Sequence, residues 1–169
     1  AASSPTGPAF EGAEISCGQR AAPGAIERVR IDPETLEPRY RVIGIDQWSD
    51  EPGFAEASQK LGVSGVCGSG IIEIVAEMYL AGIISEDGVI DGSLAEKNPR
   101  IVAEGRTFSY VLKETAPRLT ITQNDIRAIQ LAKAALYAGI KLLMDKQGIA
   151  QVDRIGFAGA FGSFIDPKY

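Results

Sequence analysis

Apolar residues recur along this chain with two different periods, and the change of period marks its elements. Ile26, Val29 and Ile31 lead to a turn signal at Asp32-Pro33-Glu34, and Tyr40, Val42, Ile43 and Ile45 follow, which predicts a β-hairpin. Residues 46–58 are mostly polar and read as a surface excursion. Ile71, Ile74, Val75, Met78 and Ala81 then recur at helical spacing, with Glu73 and Glu77 one turn apart on a face expected to be solvated and Gly82 as the stop. Residues 83–94, with Asp87-Gly88 and Asp91-Gly92, read as a loop or a short helical turn. Residues 100–103 and 107–112 flank Glu104-Gly105-Arg106 and predict a second hairpin.

Thr122 with Asp125 three residues later predicts a capped helix start, and Asp125 also suits the positive end of the helix dipole. That helix is expected to run to Gln147 and end at Gly148. Its polar stripe of Arg127, Gln130, Lys133, Lys141 and Asp145 is narrow, so most of its surface is expected to be covered. A short β-rich run over 154–158 completes a strand–helix–strand unit over 118–158. Early hairpins and a late βαβ-like unit together predict a mixed α/β class with mixed strand directions.

Composition narrows the function without naming it. The 169 residues suffice for one compact domain or two small subdomains. A net charge of −5 with no run of Lys or Arg argues against nucleic acid and against an anionic membrane surface as partners. The longest apolar stretch, 126–144, is broken by Lys133 and Lys141 and reads as a buried helix, not a membrane span. Histidine is absent, which removes His general bases, Ser-His-Asp triads and His-ligated metals. Two cysteines, Cys17 and Cys67, make neither a disulfide framework nor a zinc set and fit a reducing cytoplasm.

The chemistry on offer is that of glycine turns. Gly65-Val66-Cys67-Gly68-Ser69-Gly70 stands directly before the helical run, where free N–H groups and the helix dipole suit an anion. Gly159-Ala160-Phe161-Gly162 follows the β-rich run 154–158 in a similar way, with small residues that suit close approach of a flat ligand. Both turns have a plainer reading, as glycines that let a strand and a helix pack closely, with Cys67 an inert buried thiol. Glu11, in a Ser/Pro/Gly/Ala-rich stretch over 1–12, is either a solvated carboxylate or one that orients a water or a magnesium shell near phosphates. No Walker A loop, dinucleotide fingerprint or nucleophile elbow is present, so a nucleotide would need another architecture.

Four stretches together resemble a known family: TGPAFEGAEISCG at 6–18, VCGSGIIEIVAEMYLAG at 66–82, TQNDIRAIQLAKAAL at 122–136 and AGAFGSFIDPKY at 158–169. In this order they resemble the C-terminal ATPase-like domain of the reductive activators of corrinoid proteins, iron-sulfur proteins that use ATP. The resemblance implies the acetate and sugar kinase, heat-shock and actin superfamily, in which two RNase H-like lobes close on ATP. Residues 1–169 then correspond to the second lobe, a single partial domain. The first phosphate loop, of Asp-x-Gly-Thr type, and a ferredoxin-like 2Fe-2S domain are expected upstream.

By motif order, the resemblance makes Gly159, Ala160, Phe161 and Gly162 the adenosine turn. It puts Gly7, Glu11 and Gly12 near the second phosphate loop, with Glu11 in a catalytic role, and it lines the cleft with Gly65, Gly68, Ser69 and Gly70. ATP and magnesium are the implied cofactors. The implied partner is the corrinoid protein of a methyltransferase system, returned from Co(II) to Co(I). A homodimer and a cytoplasmic setting are further expectations. Gln19 stands where the family usually has Met. Two other readings stay open: an iron-sulfur ATPase related to the activators of 2-hydroxyacyl-CoA dehydratases, in which Cys67 would share a 4Fe-4S cluster, and a non-catalytic docking or dimerisation lobe.

Overall fold

A computed structural model describes residues 6–158, 162 and 164–166. Among these residues two three-stranded sheets and three α-helices share one apolar core, so the mixed α/β class expected from the sequence is what the chain adopts. The first sheet has the order β2-β1-β3. β1 (Ala25–Ile31) pairs antiparallel with β2 (Pro38–Val42) and, at its start only, parallel with β3 (Gly65–Val66). Strand directions are therefore mixed. The second sheet is antiparallel throughout, β4 (Ile101–Glu104), β5 (Thr107–Lys113) and β6 (Leu119–Thr122), so the second hairpin falls at its expected place.

The alternation in β1 decides its faces: Val29 and Ile31 enter the core while Arg28 and Arg30 stand on the other side. At the hairpin tip the Asp32 carboxylate accepts from the N–H groups of Thr35 and Glu34 and from the Thr35 hydroxyl, which pull its pKa below the usual carboxylate range. Leu36, next in line, has a left-handed φ of 58°. Its carbonyl accepts from the buried Tyr110 hydroxyl of β5 at 2.9 Å, and Arg100 Nε reaches Glu37 at 2.8 Å. The tip of the first sheet is thereby fastened to the second.

The helices correct the sequence reading in several places. The polar excursion contains a short helix, α1 (Phe54–Leu61), that buries only Phe54, in an edge contact with Tyr40 at 5.7 Å. One buried apolar residue in two turns is too weak a period to register. Helix α2 (Gly68–Leu80) buries Ile71, Ile74 and Met78 as expected, but Glu73 and Glu77 lie on a buried face, 2% and 6% exposed.

Helix α3 (Gln123–Gln147) has both halves of its capping box, with Thr122 and Asp125 bonded reciprocally, and ends at Gly148. It is not covered on most sides. Burial stops after Ala132, and Leu131, Tyr137 and Leu142 are about 70% exposed. No strand follows it among the described residues: 154–158 is irregular, with Ile155 and Phe157 exposed. The βαβ-like unit is thus not formed among the described residues, because alternation alone does not make a strand without a partner strand to pair with it. No described helix is long and apolar enough to cross a membrane.

Candidate functional site

The glycine turn and the N-terminal loop, far apart in sequence, are neighbours. Residues 17–19 run beside β3: Val66 N–H donates to Cys17 O at 2.8 Å, and Gln19 N–H to Val66 O at 2.9 Å. A Cβ at Gly65 would stand 2.6 Å from Cys17 O, and one at Gly70 2.5 Å from Ile26 O. Backbone occupies both places, so these two glycines serve close packing of the turn on β1 and on the N-terminal loop. Gly12, at a φ of 83°, is filled in the same way, with Gln19 N 2.6 Å from its would-be Cβ. Ser69 anchors the first turn of α2 through its hydroxyl, which donates to Glu27 O at 3.1 Å.

Cys67 precedes α2 as its N-cap residue, buried, with its sulfur 3.5 Å from the Ser69 hydroxyl. Gly68 is buried in the first turn. The exposed members of the expected set are Gly7, left-handed at 69°, and Glu11, which ends the 3-10 turn Ala9–Glu11. That turn sits against both α2 and α3. Among the expected adenosine-turn residues, Gly162 is described and lies close to Phe157, whereas Gly159, Ala160 and Phe161 lie outside the described residues. No cluster of three or more Cys, Asp or Glu suited to a metal occurs among the described residues.

A second function of Asp125 was hidden in the sequence. Besides its part in the capping box, its Oδ1 accepts from the Ser16 N–H at 2.7 Å and from the Ser16 hydroxyl at 3.0 Å. This fixes the N-terminal loop to the start of α3. The neighbouring Cys17 thiol is pushed up to about 12, by burial first and by the Asp125 carboxylate second, so it stays protonated at neutral pH. Arg127, read as exposed, donates to Asp87 O at 2.8 Å. Gln123 brackets the same loop through Gly88 O and the Ile90 N–H. A groove of about 560 Å³ runs between α2 and α3, lined by Phe10, Ile72, Val75, Tyr79, Ile126 and Ile129.

The feature that sequence reasoning missed most clearly is a buried charge network. After Ile26, no strand among the described residues pairs with β1 on its α2 side. The Glu73 carboxylate accepts there from the Val29 N–H at 3.0 Å, and Glu77 accepts from the Ile31 N–H at 2.7 Å. Four residues of helix advance about 6 Å and two residues of strand about 6.7 Å. Glutamates at i and i+4 therefore match alternate N–H groups of a strand edge. Arg28 and Arg30 complete the network, their Nη1 atoms 2.5 Å and 2.8 Å from Glu73. The signal was present as arginines at i, i+2 and glutamates at i, i+4, but nothing in the sequence pairs them.

Comparison with known proteins agrees with this architecture. The chain is 36% identical over 177 aligned residues to the corrinoid activation enzyme RamQ of Eubacterium limosum, covering 98% of this chain and 27% of that protein. It is 27% identical over 178 residues to the [Co(II) methylated amine-specific corrinoid protein] reductase of Methanosarcina barkeri, covering 99% of this chain and 29% of that one. The solved structure of a reductive activator for corrinoid, iron-sulfur protein superposes with a TM-score of 0.74 at 33% identity, over 95% of this chain and 24% of that one. This chain thus spans about a quarter of the length of these relatives. Residues 1–169 match the family described as the C-terminal domain of RACo, the ASKHA domain, and the chain belongs to that family.

Proposed function

We propose that this chain is one lobe of an ATP-dependent reductive activator that returns a methyltransferase-associated corrinoid protein from Co(II) to Co(I). The observation that carries the reading is the alignment of nearly the whole chain with a corrinoid activation enzyme and a Co(II) corrinoid protein reductase. On this reading residues 1–169 form part of the second lobe of an actin-like ATPase domain. The first lobe and a ferredoxin-like 2Fe-2S domain lie elsewhere in the full protein, the latter supplying the electron.

The donor set suits a nucleotide in one respect and limits it in another. Gly7 has a left-handed backbone with the Glu14 carboxylate 3.8 Å from its would-be Cβ, and Glu11 is exposed in the same loop, so the loop can present N–H groups to phosphate and a carboxylate to a magnesium-bound water. Gly12, Gly65 and Gly70 are filled by neighbouring backbone, so they shape the wall and leave contact to the N–H groups of Gly68 and Ser69 at the start of α2. Gly159, Ala160, Phe161 and Gly162 are assigned to adenosine. ATP supplies phosphoryl transfer to water, a reaction that depends on positioning and charge neutralisation and needs no histidine.

The test uses the full-length protein with its corrinoid partner, magnesium and a reductant. The Co(I) absorption band is expected to grow only when ATP is added. Equal growth without ATP would remove the nucleotide from the reading, and no growth with ATP would remove the activator role. A second reading, a lobe that docks a partner or a second copy without catalysis, is favoured by the apolar groove and the exposed half of α3. Calorimetry separates the two: that lobe binds partner and not ATP. Cytoplasmic location follows from the activator reading and is checked by fractionation.

A further inference from the structure

The network on β1 extends beyond α2. Asp166 Oδ2 lies 3.5 Å from Arg30 Nη2 and 3.9 Å from Arg28 Nη1. Arg28 therefore faces two carboxylates, Glu73, 2% exposed, and Asp166, about a quarter exposed, and Arg30 faces these two and Glu77, 3.9 Å from its Nε. Glu73 stands one turn after Gly70, and residues three and four apart on a helix are neighbours. What holds Glu73 thus holds the first turn of α2, which is otherwise fastened to β1 through Ser69 and Glu27 O. Axial sliding of α2 along β1 would break the Glu73 and Glu77 bonds to Val29 and Ile31 together.

We propose that Asp166 is a positioning residue: by closing over Arg28 and Arg30 it sets their grip on Glu73, and so the seat of the first turn of α2 against β1. Only three residues of the chain, 163–165, separate the end of the glycine turn at Gly162 from this carboxylate. The network thus runs from Asp166, four positions after Gly162, to the helix start at Gly68. Gly162 and Gly68 both contact nucleotide on the reading given above, and the proposal rests on that reading. A ligand held at Gly162 bears on the hold that Asp166, four positions later, has on the arginines. Coupling of the two ends arises because the seat of α2 has a different energy with and without that hold.

The experiment compares full-length wild type with Asp166→Asn and Asp166→Glu. Partly exposed ion pairs contribute up to about 1 kcal/mol, so Asp166→Asn is expected to weaken ATP binding by about two- to fivefold by calorimetry, which is about 0.4–1 kcal/mol. Amide hydrogen exchange over 68–75 should quicken in that variant even without nucleotide, while exchange in α3 stays as it was. Asp166→Glu should restore both. Unchanged exchange over 68–75 overturns the proposal, and so does quicker exchange with unaltered ATP affinity. Wild type that binds no ATP overturns the nucleotide reading itself, which the exchange measurement then tells apart from failure of the coupling between Asp166 and α2.

Discussion

Glu73 is a charge with almost no water around it, and three donors take the place of that water: Arg28, Arg30 and the Val29 N–H. Removing one partner of such a group costs far more than the group contributes net, because the others are left buried and unpaired. Glu73→Ala is expected to cost about 3–5 kcal/mol, and Glu77→Ala, which strands one N–H, about 1–3 kcal/mol. Lys60→Ala, in an exposed i, i+4 pair with Glu56, should cost under ~0.5 kcal/mol. Urea denaturation ranks the three, and equal effects would contradict the buried network. Cys17 gives a second residue-scale expectation. Its thiol holds its proton to about pH 12, whereas the unfolded thiol releases it near pH 9.0. Between these values the unfolded chain binds fewer protons than the folded one, so stability falls as pH rises. Denaturation midpoints between pH 8 and about 10.5 should decline, and Cys17→Ala should flatten the first part of the decline. The raised Tyr110 hydroxyl, whose ordinary range starts higher, governs the later part.

At the scale of elements, helix starts and helix faces carry separable energies. Gly70→Ala forces a Cβ against the Ile26 carbonyl, a backbone atom that cannot swing away, and should cost about 1–3 kcal/mol or more. Thr122→Ala removes a cap and should cost about 1 kcal/mol. In α3, Ile126→Ala is expected to cost about 2–5 kcal/mol. Leu131→Gln and Leu142→Gln, at about 70% exposure, should stay within ~0.5 kcal/mol. Thermal melts of the four proteins decide whether α3 is anchored by its first ten residues alone. The sequence showed α3 because a capping box and a terminal glycine are local signals. It showed α2 because Ile71, Ile74 and Met78 keep a helical period. It misplaced Glu73 and Glu77, since a polar residue on a helix is read as facing water unless its distant partners are known. It also overcounted strands at 154–158, where Ile155 and Phe157 alternate correctly but are exposed and pair with no described strand. The grouping of Gly12, Gly65 and Gly70 was legible as a list of glycines. Their use as packing space was not, because it depends on which carbonyl lies opposite.

At the scale of the whole molecule, the expected phosphate wall on this chain is one exposed loop and one helix start, and the family reading puts the opposing phosphate loop in another lobe. The chain by itself is therefore expected to release phosphate from ATP weakly or not at all. A malachite-green assay on the pure 169-residue chain checks this, and sustained turnover would overturn the two-lobe reading. The link from Ser16 to Asp125 spans 109 positions and bears on how the chain reaches its fold. Loop-closure entropy rises only slowly with length, so such a contact costs little more than one half as long. Its timing is another matter. During synthesis the loop emerges first and finds no acceptor until Asp125 has followed it, roughly 5–20 s later at ordinary elongation rates. For that interval Cys17, so inert once seated, is an open thiol on a nascent chain. The proton it later keeps is held first by burial and then by the carboxylate at the finished helix start.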